Sequence, residues 1–90
     1  MKENEKMLER ILKALGNRRR LLILQYLKRA GEAPVGDIAE EIKLSFNATS
    51  KHLRVLYGAD IVEREQRSLQ IFYRLSGISS PTVRAVLGSL

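Results

Sequence analysis

Apolar residues recur along the chain at two periods, and the change between them marks out the elements. Met7, Leu8, Ile11, Leu12 and Leu15 form one stripe at helical spacing. They predict a first helix capped by Asn4, ended by Gly16 and charged on its other face. Asn17 can cap a second helix that carries Leu21, Leu24 and Leu27 with Leu22, Ile23 and Tyr26 alongside. Being apolar on more than one face, this helix is expected at the centre, with Gly31 terminating it in a left-handed conformation. A break over residues 31–36 leads to a short helix over 37–43 with Ile38, Ala39 and Ile42 facing inward. After a tight turn through Leu44, Ser45 is a good N-cap for a helix over 46–57 that turns Thr49, Leu53 and Leu56 inward and stops at Gly58.

The period then shortens to two. Residues 61–65 and 69–75 are β-prone runs separated by Gln66, Arg67 and Ser68, and Leu69, Ile71, Tyr73 and Leu75 alternate with Gln70, Phe72 and Arg74. That pattern predicts a hairpin with Leu69, Ile71 and Tyr73 in the core. Ser80 and Pro81 form an N-cap and first-turn pair opening a last helix with Val83, Val86, Leu87 and Leu90 on one face. The order is four helices, a hairpin and a fifth helix: a mostly α fold with a β-hairpin wing.

Ninety residues suit one domain spanning 1–90, with no room for a second core. The first residues are charged and the longest strong aliphatic run is 21–24, so a signal peptide and a membrane span are both disfavoured and the expected compartment is the cytoplasm. Sixteen Lys and Arg against ten Asp and Glu give a formal charge of +6, which attracts a polyanion, nucleic acid before membrane. The chain has no cysteine and a single histidine, which removes disulfides, thiolate metal sites and thiol chemistry. No Gly-rich phosphate loop or Gly-x-Ser-x-Gly elbow is present either, so no catalytic constellation is expected, and no cofactor.

Two short helices joined by a tight turn and followed by a basic hairpin have the layout of a winged helix-turn-helix. With Thr49, Leu53 and Leu56 turned inward, Asn47, Ser50, Lys51 and Arg54 are left on the outer face of the second of these helices. These are side chains that read base edges or bind phosphate. No acid occurs between Glu41 and Asp60, so nothing in the turn or the helix repels a DNA backbone. His52 either seats the helix at the edge of the core or contacts DNA. Phe46 either meets a thymine methyl or packs on the turn. Arg18, Arg19 and Arg20 oppose the helix dipole at an N-terminus and so invite an anion, although most charge runs are merely solvated.

Over about residues 12–75 the sequence resembles the ArsR/SmtB family of bacterial and archaeal winged-helix repressors. The resemblance rests on Ala14-Leu15-Gly16-Asn17 followed by Arg20-Leu21 and Ile23-Leu24, on Asp37-Ile38-Ala39, on Leu44-Ser45, on Ser50-Lys51-His52-Leu53 with Leu56, and on Tyr73 and Leu75. It implies a homodimer that occupies an operator, blocks transcription and lets go when an effector binds, and it favours Arg20 among the three arginines as a backbone contact. The metal sites of the family have no counterpart. Pro34 and Gly36 stand where arsenic- and cadmium-type sensors place cysteines, and residues 76–90 contain no Asp, Glu, His or Cys for a zinc-type site. Ser68-Leu69 replaces the Gly-Arg common at the wing tip, which leaves Arg64 and Arg67 as the wing's expected DNA contacts.

Both terminal helices carry apolar stripes that so small a core has little room to absorb. Leu8, Ile11, Leu12 and Leu15 with Val83, Val86, Leu87 and Leu90 are therefore expected to form a homodimer interface. Two recognition helices would then face successive major grooves about 34–36 Å apart on a palindromic double-stranded operator. The sequence identifies no effector and does not require one; a small-molecule pocket, if there is one, would have to lie at that interface. The alternative reading is a winged-helix module that binds protein without sequence-specific DNA binding. A third, a basic protein lying on a membrane surface, fits poorly because the second helix is apolar nearly all round.

Overall fold

The computed structural model describes residues 3–77 and 80–90. Its elements are α1 (Glu5–Leu15), α2 (Arg18–Ala30), β1 (Glu32–Pro34), α3 (Val35–Ile42), α4 (Phe46–Gly58), β2 (Val62–Arg67), β3 (Gln70–Leu75) and α5 (Pro81–Ser89). Each of the four expected N-caps is formed. The side chains of Asn4, Asn17, Ser45 and Ser80 accept from the backbone N–H groups of Met7, Arg20, Ala48 and Val83, each satisfying a donor that the helix itself cannot pair.

The twofold apolar character of α2 has the expected consequence. Ile23, Leu24 and Leu27 are buried, and the helix packs on α1, α3, α4, α5 and the sheet. Ile38 from α3 and Leu53 and Leu56 from α4 close on it from the other side. Truncating such a leucine to alanine costs about 2–5 kcal/mol, so α4 is locked to the core along this one face.

Residues 31–36 are not a simple break. Gly31, at φ 85°, reverses the chain, and Glu32, Ala33 and Pro34 pair antiparallel with Arg74, Tyr73 and Phe72. The sheet therefore has three strands in the order β1-β3-β2. Pro34 has no N–H for a ladder and is tolerated because β1 is an edge. It also precedes α3, which begins at Val35 rather than near Asp37. The turn from α3 to α4 is tight because Lys43 takes the left-handed conformation (φ 56°, ψ 50°). The N–H groups of Lys43 and Leu44 then return to the carbonyls of Glu40 and Ala39. A left-handed non-glycine residue costs about 1–2 kcal/mol, so these two bonds help to hold the angle between the helices.

The hairpin reaches further than the sequence suggests. β2 runs to Arg67, and the turn is Ser68-Leu69 with Ser68 at φ 58°. Its inward face has something to cover it only at the base. Tyr73 is 3% exposed, but Ile71 is 38% and Leu69 is 97% exposed. Leu69 is thus not a core residue, because the wing tip carries the alternating face beyond the last helix that could bury it.

The terminal stripes also divide differently from the expectation. Ile11, Leu15 and Val83 are buried in the protomer's own core and are not available to a partner. Val86, Leu87 and Leu90 pack partly against the same core, whereas Leu12 is 52% exposed and Leu8 is half-buried. The chain absorbs more of the stripes than expected because α5 folds back onto α1 and α2. The Glu3 carboxylate accepts from the N–H and hydroxyl of Thr82 at 3.2 and 2.8 Å, at the positive end of α5. Lys28 Nζ donates to the Leu87 carbonyl at 2.8 Å, at the negative end.

Candidate nucleic-acid interface

Burying Thr49, Leu53 and Leu56 turns the rest of α4 outward. Asn47, Lys51 and Arg54 are exposed and Ser50 is partly so, on the face opposite the core. The structure thus brings together the four side chains expected to read DNA. Arg54 has no hydrogen-bond or ion-pair partner among the described residues, and α4 contains no acid. Phe46, at the first position of the helix, is exposed rather than packed into the turn.

Arg20 is placed differently from the expectation. Its guanidinium turns inward: Nε donates to the Ala14 carbonyl at 2.6 Å, Nη2 to the Lys13 carbonyl at 3.2 Å, and Nη1 lies 3.1 Å from His52 Nδ1. Arg20 therefore caps the carbonyl end of α1 and ties α2 to the recognition helix. Since a guanidinium can only donate, His52 Nδ1 is the acceptor and the proton sits on Nε2. Burial, with the positive charges of Arg20 and Arg19 adding to it, holds the His52 imidazole below its ordinary pKa and keeps it neutral. Of the two roles considered for His52, the structure supplies the seat on α2 and leaves Nε2–H as a donor. Arg18 and Arg19 remain exposed at the start of α2.

The two wing arginines are separated by the pleat. Residues three apart in a strand point to opposite faces, and Arg64 and Arg67 do so. Arg64 lies across from Tyr73 on the face that looks toward α4. Its guanidinium stacks 4.0 Å from the Tyr57 ring centroid, and the Tyr73 and Tyr57 hydroxyls raise its pKa further. Arg67 lies on the other face in a lattice of ion pairs. It donates to both carboxylate oxygens of Glu32 at 2.7 and 2.9 Å and to Glu65 at 2.9 Å, above the Phe72 ring. Arg74 adds bonds to Glu63 and Glu65. Arg67 is therefore a strut across the sheet, and Arg64 is the wing cation that shares a surface with Arg54.

Sequence reasoning overlooked two features. Lys6, Arg10 and Lys13 line a surface cleft together with Arg20 and Arg54; among the described residues Glu9 is the one acid there, 3.8 Å from Lys13. Their spacing of four and three was a legible signal, since it puts all three on one face of α1. The second is a cleft of about 240 Å³ between α4 and the wing, with Ser50, Arg54 and Arg64 in its wall. It lies within one protomer, whereas any effector pocket was expected between two. Among the described residues no helix is long and apolar enough to cross a membrane.

A helix held on a tight turn, its acid-free outer face and a hairpin wing within a three-stranded sheet define a winged helix-turn-helix module. The family model of the bacterial regulatory proteins of the ArsR type matches residues 17–64, and the chain belongs to that family. It is 37% identical over 79 residues to the nodulation protein NolR of Rhizobium meliloti, covering 88% of this chain and 62% of that protein. It is 36% identical over 77 residues to the transcriptional activator HlyU of Vibrio cholerae, covering 86% of this chain and 68% of HlyU. The solved structure of reduced HlyU superposes with a TM-score of 0.80 at 34% identity, over 97% of this chain and 87% of that one. Mb0332 of Mycobacterium bovis, described as a homodimeric winged helix-turn-helix DNA-binding domain and a possible ArsR-family regulator, matches with a TM-score of 0.80 at 26% identity. That match covers 99% of this chain and 84% of that one. This chain thus spans less than two thirds of NolR and more of the other two.

Proposed function

We propose that the protein is a homodimeric, sequence-specific DNA-binding transcriptional regulator that represses by occupying a palindromic operator. The observation that carries this reading is the outer face of α4, where Asn47, Ser50, Lys51 and Arg54 stand together with no acid on the helix. Asn pairs with adenine, Arg and Lys with guanine or phosphate, and Ser with either. His52 Nε2–H adds a donor beside them. Arg64 supplies the wing's phosphate contact, and Arg18, Arg19 and the Lys6, Arg10, Lys13 face extend the cationic surface. Arg20 and Arg67 support this surface from beneath.

The dimer contact runs through Leu8 and Leu12 of α1 with the partly covered Val86, Leu87 and Leu90 of α5. The homodimeric description of Mb0332 supports this, as does the exposure of Leu12. SdpR of Bacillus subtilis, 33% identical over 66 residues, is described as a repressor and HlyU as an activator; a dimer that occupies its operator by the contacts above takes the repressing role. A module that docks only on protein would gain nothing from an acid-free helix face rich in base-reading side chains.

Selection of bound duplexes from a random pool, repeated at two salt concentrations, tests the reading. It should return two inverted half-sites about one helical turn apart, with affinity falling as salt rises by about 0.9 logarithmic units per phosphate contact. Enrichment of no sequence, at an affinity indifferent to salt, would contradict it.

A further inference from the structure

The cleft between α4 and the wing combines features that DNA alone does not account for. Its wall holds two guanidinium groups, Arg54 and Arg64, and no carboxylate. Beside them Ser50, Gln70 and Tyr73 contribute polar atoms, and the apolar part is formed by Pro34, the buried Val35, and Phe46, Leu69 and Ile71. These last three are exposed large hydrophobics, at 58% for Phe46 and 97% for Leu69, gathered around one concavity. A phosphodiester backbone satisfies the arginines and leaves that apolar surface in water, and clustered apolar surface of this kind marks a binding site. Arg64 is already held in place by stacking on Tyr57, so little side-chain freedom is lost when it meets an anion.

Size narrows the occupant further. A cavity of about 150 Å³ is known to hold a benzene ring, and drug-sized ligands take about 300–1,000 Å³. The volume here is about 240 Å³, which leaves room for one ring and one carboxylate. We propose that this cleft binds a monocyclic aromatic carboxylate, with the ring against Val35, Phe46 and Ile71 and the carboxylate on Arg54 and Arg64, and that its occupancy excludes the operator. The exclusion rests on the operator-binding reading above, because Ser50 and Arg54 belong to both surfaces. A ligand that takes Arg54 lowers the apparent operator affinity by mass action, about tenfold when its concentration is ten times its own dissociation constant.

Phenylacetate at millimolar concentration serves as the probe, with benzylamine as its cationic counterpart. In the amide NMR spectrum of the full chain, phenylacetate should shift Ser50, Leu69, Ile71 and Tyr73 in a saturable way, benzylamine should not, and operator affinity should fall along the same saturation curve. Gly36→Leu provides the blocking variant. Gly36 lines the cleft, its φ is not positive, and a Cβ built there meets no atom within 4 Å, so the rest of the leucine side chain projects from an unstrained position toward the cleft. This variant should bind operator as the wild type does and lose the response to phenylacetate. Intact operator binding with those amides unmoved by phenylacetate overturns the ligand site alone, and so do equal shifts from both probes. Loss of operator affinity in a folded Gly36→Leu protein means that DNA itself fills the cleft, which also overturns the inference. The expected shifts in a protein that binds no selected duplex would instead sink the operator reading and keep the ligand site. If Gly36→Leu does not fold, the contrast between the two probes on the wild type decides.

Discussion

Thr49 lies fully buried on the inward face of α4, and its hydroxyl has no hydrogen-bond partner among the described residues. An unpaired buried hydroxyl costs about 1–3 kcal/mol, whereas an apolar group of the same shape costs little. Thr49→Val should therefore stabilise the fold by about 1 kcal/mol, seen as a higher urea midpoint at an unchanged slope. His52 carries the pH dependence at this scale. Its folded-state pKa lies below the ordinary value of 6.5, so the unfolded chain takes up the proton first. Its contribution is fully present above pH 6.5 and is lost as pH falls through the lowered folded value. Unfolding free energies measured across that window should decline with acid in the wild type and decline less in His52→Gln. The position of Thr49 was legible from spacing alone, as were the caps Asn4, Asn17, Ser45 and Ser80. The role of Arg20 was not, because its partners Ala14 and His52 meet only when α1, α2 and α4 pack together.

Among the elements, the wing shows how far local pattern reaches. The alternation in β3 identified the strand and its faces, and the same rule applied to β2 separates Arg64 from Arg67. What alternation could not reveal is β1, a three-residue strand ending in proline whose evidence lies in its partner β3. Without β1, Glu32 has no reason to meet Arg67, and the ion-pair lattice is invisible. Nor does alternation say where cover ends, which is why Leu69 was expected in the core. The two arginines should accordingly respond differently to truncation. Arg64→Ala should weaken operator binding and lower the slope of log affinity against log salt by about 0.9, the loss of one phosphate contact. Arg67→Ala should leave that slope unchanged while loosening protection of the hairpin amides in hydrogen exchange. Equal salt slopes in the two variants would contradict the division of the wing into a contact face and a strut face.

For the whole molecule, the charge of +6 and the apolar stripes are the two quantities that point outside the chain. The charge becomes specific once the fold places it: Lys51 and Arg54 on α4, Arg64 on the wing and the α1 cations lie around the recognition helix, while Arg67 and Arg74 are neutralised on the far face of the sheet. The stripes were legible as apolar but not as intramolecular or intermolecular. Period fixes a face, and only packing decides whether the chain itself covers it, as the packing of α5 on α1 and α2 does for Ile11 and Val83. The fold order and the recognition helix were thus readable from period and capping, and the support beneath them was not.

Reading of the major groove by α4 is tested by the operator affinity of the Lys51→Ala, Arg54→Ala double variant, measured by fluorescence anisotropy beside that of the wild type. Both side chains are exposed, so the fold should persist. Each good base contact carries about 1–3 kcal/mol of discrimination, so specific binding should fall by at least about tenfold toward the non-specific level, with circular dichroism and oligomeric state unchanged. An undiminished preference for the selected operator in that variant would contradict the assignment of α4 as the reading helix.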